Sequence, residues 1–139
     1  LMRLLGIDYG TKRIGIAIGD IDTKTAVPLC VIVRGQTPHN SVIHSIEKII
    51  KDEDIELIVV GMPTNMDGTQ SETGNKVDKF VAELKNKLQI KIEVQDERLS
   101  TKQIEQVTKE YGFAKKGIDK DSAAAALILQ GWLDSQEKS

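Results

Sequence analysis

The sequence predicts an α/β domain: a mixed five-stranded sheet, made of an antiparallel meander plus two parallel strands, flanked by helices. Three observations carry this. First, three strand-length apolar runs follow one another within the first 33 residues, separated by short polar stretches that suit hairpins. Second, helical spacing then alternates with short apolar runs, the pattern of helix-linked parallel strands. Third, 139 residues with 40% hydrophobic and 29% charged side chains suit one compact domain over residues 1–139.

Each element has its own signal. RLLGIDY (3–9) and RIGIAIG (13–19) read as strands joined by a Gly-Thr-Lys turn. VPLCVIV (27–33) is the third strand, where Pro28 suits a strand start or a sheet edge. Over 41–53, Val42, Ile43, Ile46, Ile49 and Ile50 follow the helical repeat. ELIVVG (56–61) has the length and continuity of a buried parallel strand. GMPTNMDGTQS (61–71) is rich in turn formers and long for a plain connection. Val77, Phe80, Val81, Leu84 and Leu88 mark one face of a helix over 72–88. IKIEVQD (90–96) alternates as a strand, and Ser100 with Gln103 has the spacing of a capping box that starts a third helix. A loop with Gly and Lys over 112–120 leads to Asp121, which heads a last helix over 122–135. The order β-β-β-α-β-α-β-α-α is that of the ribonuclease H fold, which hosts many functions.

Composition narrows the function. A net charge of −2 argues against coating nucleic acid through bulk charge, but leaves room for local basic patches. The single cysteine, Cys30, rules out a disulfide framework within the chain and reads as a small core residue. A reducing, cytoplasmic setting is expected. No apolar run approaches the ~18 residues of a membrane span, and no signal-peptide pattern opens the sequence. His39 and His44 lack zinc-ligand spacing and read as surface or helix-end residues.

Three carboxylate positions stand at element ends: Asp8, the pair Asp96-Glu97, and Asp121. Hard cations such as Mg²⁺ take oxygen ligands, often one or two carboxylates plus water and substrate phosphate. Two such ions ~3.5–4 Å apart can serve phosphodiester hydrolysis. Each residue also has an ordinary reading: Asp8 as a turn residue, Asp121 as a helix N-cap, Asp96-Glu97 as part of a solvated charge run. Alternation places Ile90, Ile92, Val94 and Asp96 on one face and Lys91, Glu93, Gln95 and Glu97 on the other. A bulge or strand end at that point would leave both carboxylates open as ligands. Gly10 would let backbone approach a phosphate, and Thr11 stands beside it in the turn. Lys12, Arg13, Arg98, Lys115 and Lys116 are candidate phosphate contacts. The small residues Ser122 to Ala126 would let the last helix lie close to the sheet, although alanine is also simply the best helix former.

With these residues in view, the chain resembles the YqgF family, also called RuvX, a Holliday junction resolvase-like family. The resemblance spans nearly the whole chain and rests on four stretches in order: GIDYGTKRIGIAIGD, GMPTNMDG, DERLST and DSAAAALILQGWLD. It implies a ribonuclease H-like fold and a divalent-metal nuclease using Mg²⁺ or Mn²⁺, with two ions. It implies Asp8, Glu97 and Asp121 as catalytic metal ligands, with Asp96 in reserve. Gly10, Thr11, Lys12, Arg13, Arg98 and Lys116 would contact the substrate. The implied partner is nucleic acid: structured RNA in maturation of the 5′ end of pre-16S rRNA, or branched DNA resolved by a homodimer. The chain is expected to be a monomer or a homodimer. Two other readings remain open. Asp8-x-Gly10-Thr11 also resembles the phosphate loop of actin-like and sugar-kinase ATPases, which need two such domains, and this chain has little room for a second. A non-catalytic RNA-binding assembly factor is the other.

Overall fold

A computed structural model describes residues 2–36, 41–63, 72–97, 109–110, 112 and 116–136. Strands β1 (Arg3–Asp8), β2 (Arg13–Asp20) and β3 (Thr25–Val33) are followed by α1 (Val42–Asp52), β4 (Ile55–Pro63), α2 (Glu72–Lys87), β5 (Lys91–Glu97) and α3 (Lys120–Gln136). The helix expected from Ser100 falls largely outside the described residues, as do most of the 61–71 loop, His39, Arg98 and Lys115. The strands form one mixed sheet in the order β3-β2-β1-β4-β5. β1, β2 and β3 pair antiparallel, as the short connections predict, whereas β4 runs parallel to both β1 and β5. β4 therefore separates β1 from β5.

The elements form where their side chains dictate. β1 and β4 are buried on both faces, which explains their continuous apolar runs. β3 is an edge strand, and Pro28 sits there beside a β-bulge that leaves Leu29 without a partner in β2. Ser41 caps α1, its hydroxyl accepting from the His44 backbone N–H at 3.0 Å, and the helix buries Ile43 and Ile46. His44 is exposed on that helix. Cys30 is half-buried against the core, and burial pushes its thiol pKa up.

The two sheet faces are packed differently. On one, α1 and α2 cover Leu5, Ile7, Ile14, Ile16, Ile18, Ile58 and Val60 with Ile43, Ile46, Val77, Phe80, Val81 and Leu84. On the other lies α3, over Leu4, Leu57 and Val59 and over the small residues Gly6, Gly15, Ala17 and Gly19. No helix among the described residues is long and apolar enough to cross a membrane.

Candidate active site

Strand parity puts Asp8 on the α3 face, in step with Leu4 and Gly6. Asp8 pairs with Gly15 across the β1–β2 ladder, so the two lie side by side. Gly15 is the point at which α3 meets the sheet: a Cβ there would lie 1.9 Å from the Asp121 carbonyl oxygen. Only a residue without a side chain allows that approach. The first turn of α3 thus rests next to Asp8, and its residues Ser122 through Ala126 are buried.

Asp121 is not the helix cap. That role falls to Asp119, whose Oδ1 accepts the Asp121 backbone N–H at 2.7 Å and whose carbonyl accepts from Ala123 at 3.0 Å. The Ser122 hydroxyl also donates to the Asp119 carbonyl, at 3.0 Å. Relieved of capping, the Asp121 carboxylate accepts from Arg13 Nε at 2.7 Å through Oδ2. Arg13 Nη2 in turn donates to Asp119 Oδ2. The guanidinium at the start of β2 therefore bridges two carboxylates on α3 and its cap. Both hold its pKa above the usual arginine value, the Asp121 hydrogen bond most.

Burial pushes the Asp8 carboxyl up to about 7, and the neighbouring charge of Asp121 adds to the shift. Two carboxylate oxygen donors side by side, with Asp8 desolvated and its charged form further disfavoured by Asp121, suit a hard divalent cation. The donor chemistry at Asp8 and Asp121 thus fits such an ion. Among the described residues, no three His, Cys, Asp or Glu side chains converge to hold one by themselves.

β5 pairs with β4 without a register shift as far as Pro63↔Glu97. The Gln95 side chain lies against α3, 3.4 Å from where a Cβ on Gly131 would be, while Ile92 packs on the α1–α2 side. Asp96 pairs with Met62 in that ladder.

The β1–β2 connection is pinned from behind. Arg34 stacks 5.1 Å over the Tyr9 ring and donates to the Gly10 carbonyl at 3.4 Å, and Tyr9 packs against Phe80 with ring centroids 4.9 Å apart. The Lys12 carbonyl accepts from the Arg34 backbone N–H at 3.0 Å. Gly10 has a local reason to be glycine, because a Cβ would sit 2.2 Å from the Arg13 carbonyl oxygen. Thr11 and Lys12 are exposed at the tip, and Lys116 is exposed ahead of α3.

Asp119 is the residue the sequence reading missed. Its signal was an aspartate two positions ahead of the first acidic residue of the helix, the spacing of a side-chain-to-backbone turn. In isolation that spacing reads equally well as part of a polar loop.

Comparison with known proteins agrees with this architecture. A sequence model of the RuvX family, described as Holliday junction resolvase, matches residues 2–135. The chain is 42% identical to a protein of Caldanaerobacter subterraneus subsp. tengcongensis named "Putative pre-16S rRNA nuclease", over 99% of this chain and 100% of that one. It is 43% identical to a protein of the same name from Desulforamulus reducens, again over 99% and 100%. Among solved structures it is similar to T. thermophilus RuvC in complex with a Holliday junction substrate, with a TM-score of 0.59 at 16% identity, covering 98% of this chain and 96% of that one. Fowlpox virus resolvase, in complex with Holliday junction DNA, gives 0.57 at 13%, covering 97% and 99%. At such identities the likeness speaks for the fold, which is ribonuclease H-like.

Proposed function

This chain belongs to the RuvX (YqgF) family of nucleases, hydrolases acting on phosphodiester bonds, and on that premise we propose that it is a divalent-metal endonuclease acting on structured RNA. The substrate we assign is the pre-16S rRNA precursor, cut in maturation of its 5′ end. The name shared by its relatives at about 40% identity over nearly full length supports that assignment. The observation that carries the catalytic reading is the meeting of Asp8 and Asp121 across Gly15.

Asp8, Asp121 and Glu97 would hold Mg²⁺ or Mn²⁺, as two ions. Glu97 is kept as the ligand, with Asp96 in reserve, because the family resemblance points to the acidic DER stretch that ends β5. When bound, such ions supply charge stabilisation for an in-line displacement and activate the attacking water. Gly10, Thr11 and Lys12 present the hairpin tip to the phosphate backbone, with Arg13, Lys116 and Arg98 as further phosphate contacts. The Arg34–Tyr9–Phe80 stack holds that tip still. Because Asp8 carries a proton below about pH 7, ion binding weakens as pH falls through that value. The protein works in the cytoplasm, where its substrate is made.

Incubation of precursor RNA with Mg²⁺ and the parent protein is expected to give discrete cleavage, and Asp8→Asn to abolish it while remaining folded. Equal cleavage by the two proteins overturns the assignment. RNA binding without cleavage by either would point instead to a non-catalytic assembly factor. The family description favours a second reading, resolution of four-way DNA junctions. That activity needs two sites and hence a homodimer. Symmetric cutting of a synthetic junction by a dimeric species, with no cleavage of precursor RNA, would establish it in place of the first.

A further inference from the structure

Arg13 stands among the cations of the hairpin, yet its guanidinium is turned to the carboxylates. Nε donates to Asp121 Oδ2 at 2.7 Å and Nη2 to Asp119 Oδ2. Its side chain is 45% exposed, so burial does not force this arrangement; the two acceptors select it. Asp119 meanwhile uses Oδ1 for the helix cap, which fixes its carboxylate and aims Oδ2 at Arg13. The cap, the arginine and Asp121 thus form one chain of charge-assisted contacts ending on a proposed metal ligand.

We infer that Arg13 is a positioning residue that orients Asp121 and sets the affinity of the site for divalent cations, and that Asp119 acts on the site through Arg13. The inference rests on the metal-site reading above. An arginine is suited to this bridge because its planar fork reaches two carboxylates at once, which a lysine ammonium does not do with fixed geometry. Its charge offsets part of the negative field that attracts a cation. Asp119 draws some of that charge away from Asp121. Removal of Arg13 therefore tightens cation binding. Removal of the Asp119 charge leaves Arg13 to Asp121 alone and weakens it.

The test is calorimetric titration of Mn²⁺, without nucleic acid, into the parent, Arg13→Gln, Asp119→Asn, the double variant and Asp8→Asn. Asn is as good an N-cap as Asp, so Asp119→Asn keeps the start of α3. Thermal melting without Mn²⁺ confirms that each variant is folded. Arg13→Gln is expected to bind Mn²⁺ about tenfold more tightly, from the loss of one nearby positive charge. Asp119→Asn is expected to bind several-fold more weakly in the parent background and within about twofold of its reference in the Arg13→Gln background. The inference is overturned if Arg13→Gln leaves the affinity within twofold, or if Asp119→Asn has the same effect in both backgrounds. If the parent binds no Mn²⁺, or Asp8→Asn binds it equally well, the metal-site reading itself is what fails.

Discussion

The two faces of the sheet are built on opposite principles. Under α1 and α2, branched side chains interdigitate: Leu5, Ile7, Ile14, Ile16, Ile58 and Val60 meet Ile46, Val77 and Leu84, all fully buried. Under the N-terminal half of α3, the sheet offers Gly6, Gly15 and Ala17, and the helix answers with Ala123 to Ala126. The first face stabilises by apolar area and volume. The second gives up side-chain area to let the helix backbone approach, and that proximity puts Asp121 beside Asp8. The C-terminal half of α3 still packs Leu129, Trp132 and Leu133 on Leu4, Leu57 and Val59, so both faces hold the fold and only the start of α3 is given over to the close approach.

Substitutions on each face should separate the two roles. The largest effect is expected at Gly15. Gly15→Val would force the Asp121 backbone away, because even a Cβ comes within 1.9 Å of its carbonyl oxygen. We expect a loss of about 3 kcal/mol in stability and at least ~100-fold in cleavage from displacement of the ligand. Chemical denaturation and a cleavage assay at permissive temperature measure both. Leu84→Ala, on the other face, is expected to cost about 2–5 kcal/mol of stability but to leave Mn²⁺ affinity within twofold while the protein is folded. If Leu84→Ala changed that affinity as much as Gly15→Val does, the division between the faces would collapse.

The smaller effect concerns pH. A carboxyl raised from 3.8 to about 7 binds its proton more tightly in the folded than in the unfolded chain. Its contribution is therefore fully present below about pH 3.8 and is lost as pH rises towards 7. Over that window the metal-free protein should lose about 2–4 kcal/mol from this one group. Asp8→Asn should flatten the loss, and be more stable than the parent at pH 8. Denaturant melts at pH 4, 6 and 8 check it: parallel profiles for parent and variant would show that Asp8 is not desolvated as described. Mg²⁺ at pH 8 should raise the melting temperature of the parent and leave that of Asp8→Asn unchanged.

Much of this was legible in the residues. The meander, the helix-linked parallel strands and the small-residue start of the last helix follow from local periodicity and turn composition, and the observed ends differ by a residue or two. Asp8 and Asp121 were visible as carboxylates at element ends. The capping role was one open reading of Asp121 and falls instead to Asp119, two residues earlier and equally suited by type. The partner of Arg13 was also hidden, since an arginine after a turn looks the same whether it faces a phosphate or an aspartate 108 positions away.

By itself, the sequence determined the order and kind of the elements, the polarity of each face and the short set of residues able to do acid or metal chemistry. These depend on side-chain type and on spacings of two to four residues, which the chain carries locally. Only the tertiary structure decided that Gly15 is the contact that delivers Asp121 to Asp8, that Asp119 caps while Asp121 stays available, and that Arg13 ties the two together. Those outcomes depend on strand register and on how closely a helix backbone can approach a sheet, and both are set by contacts between residues far apart in the chain.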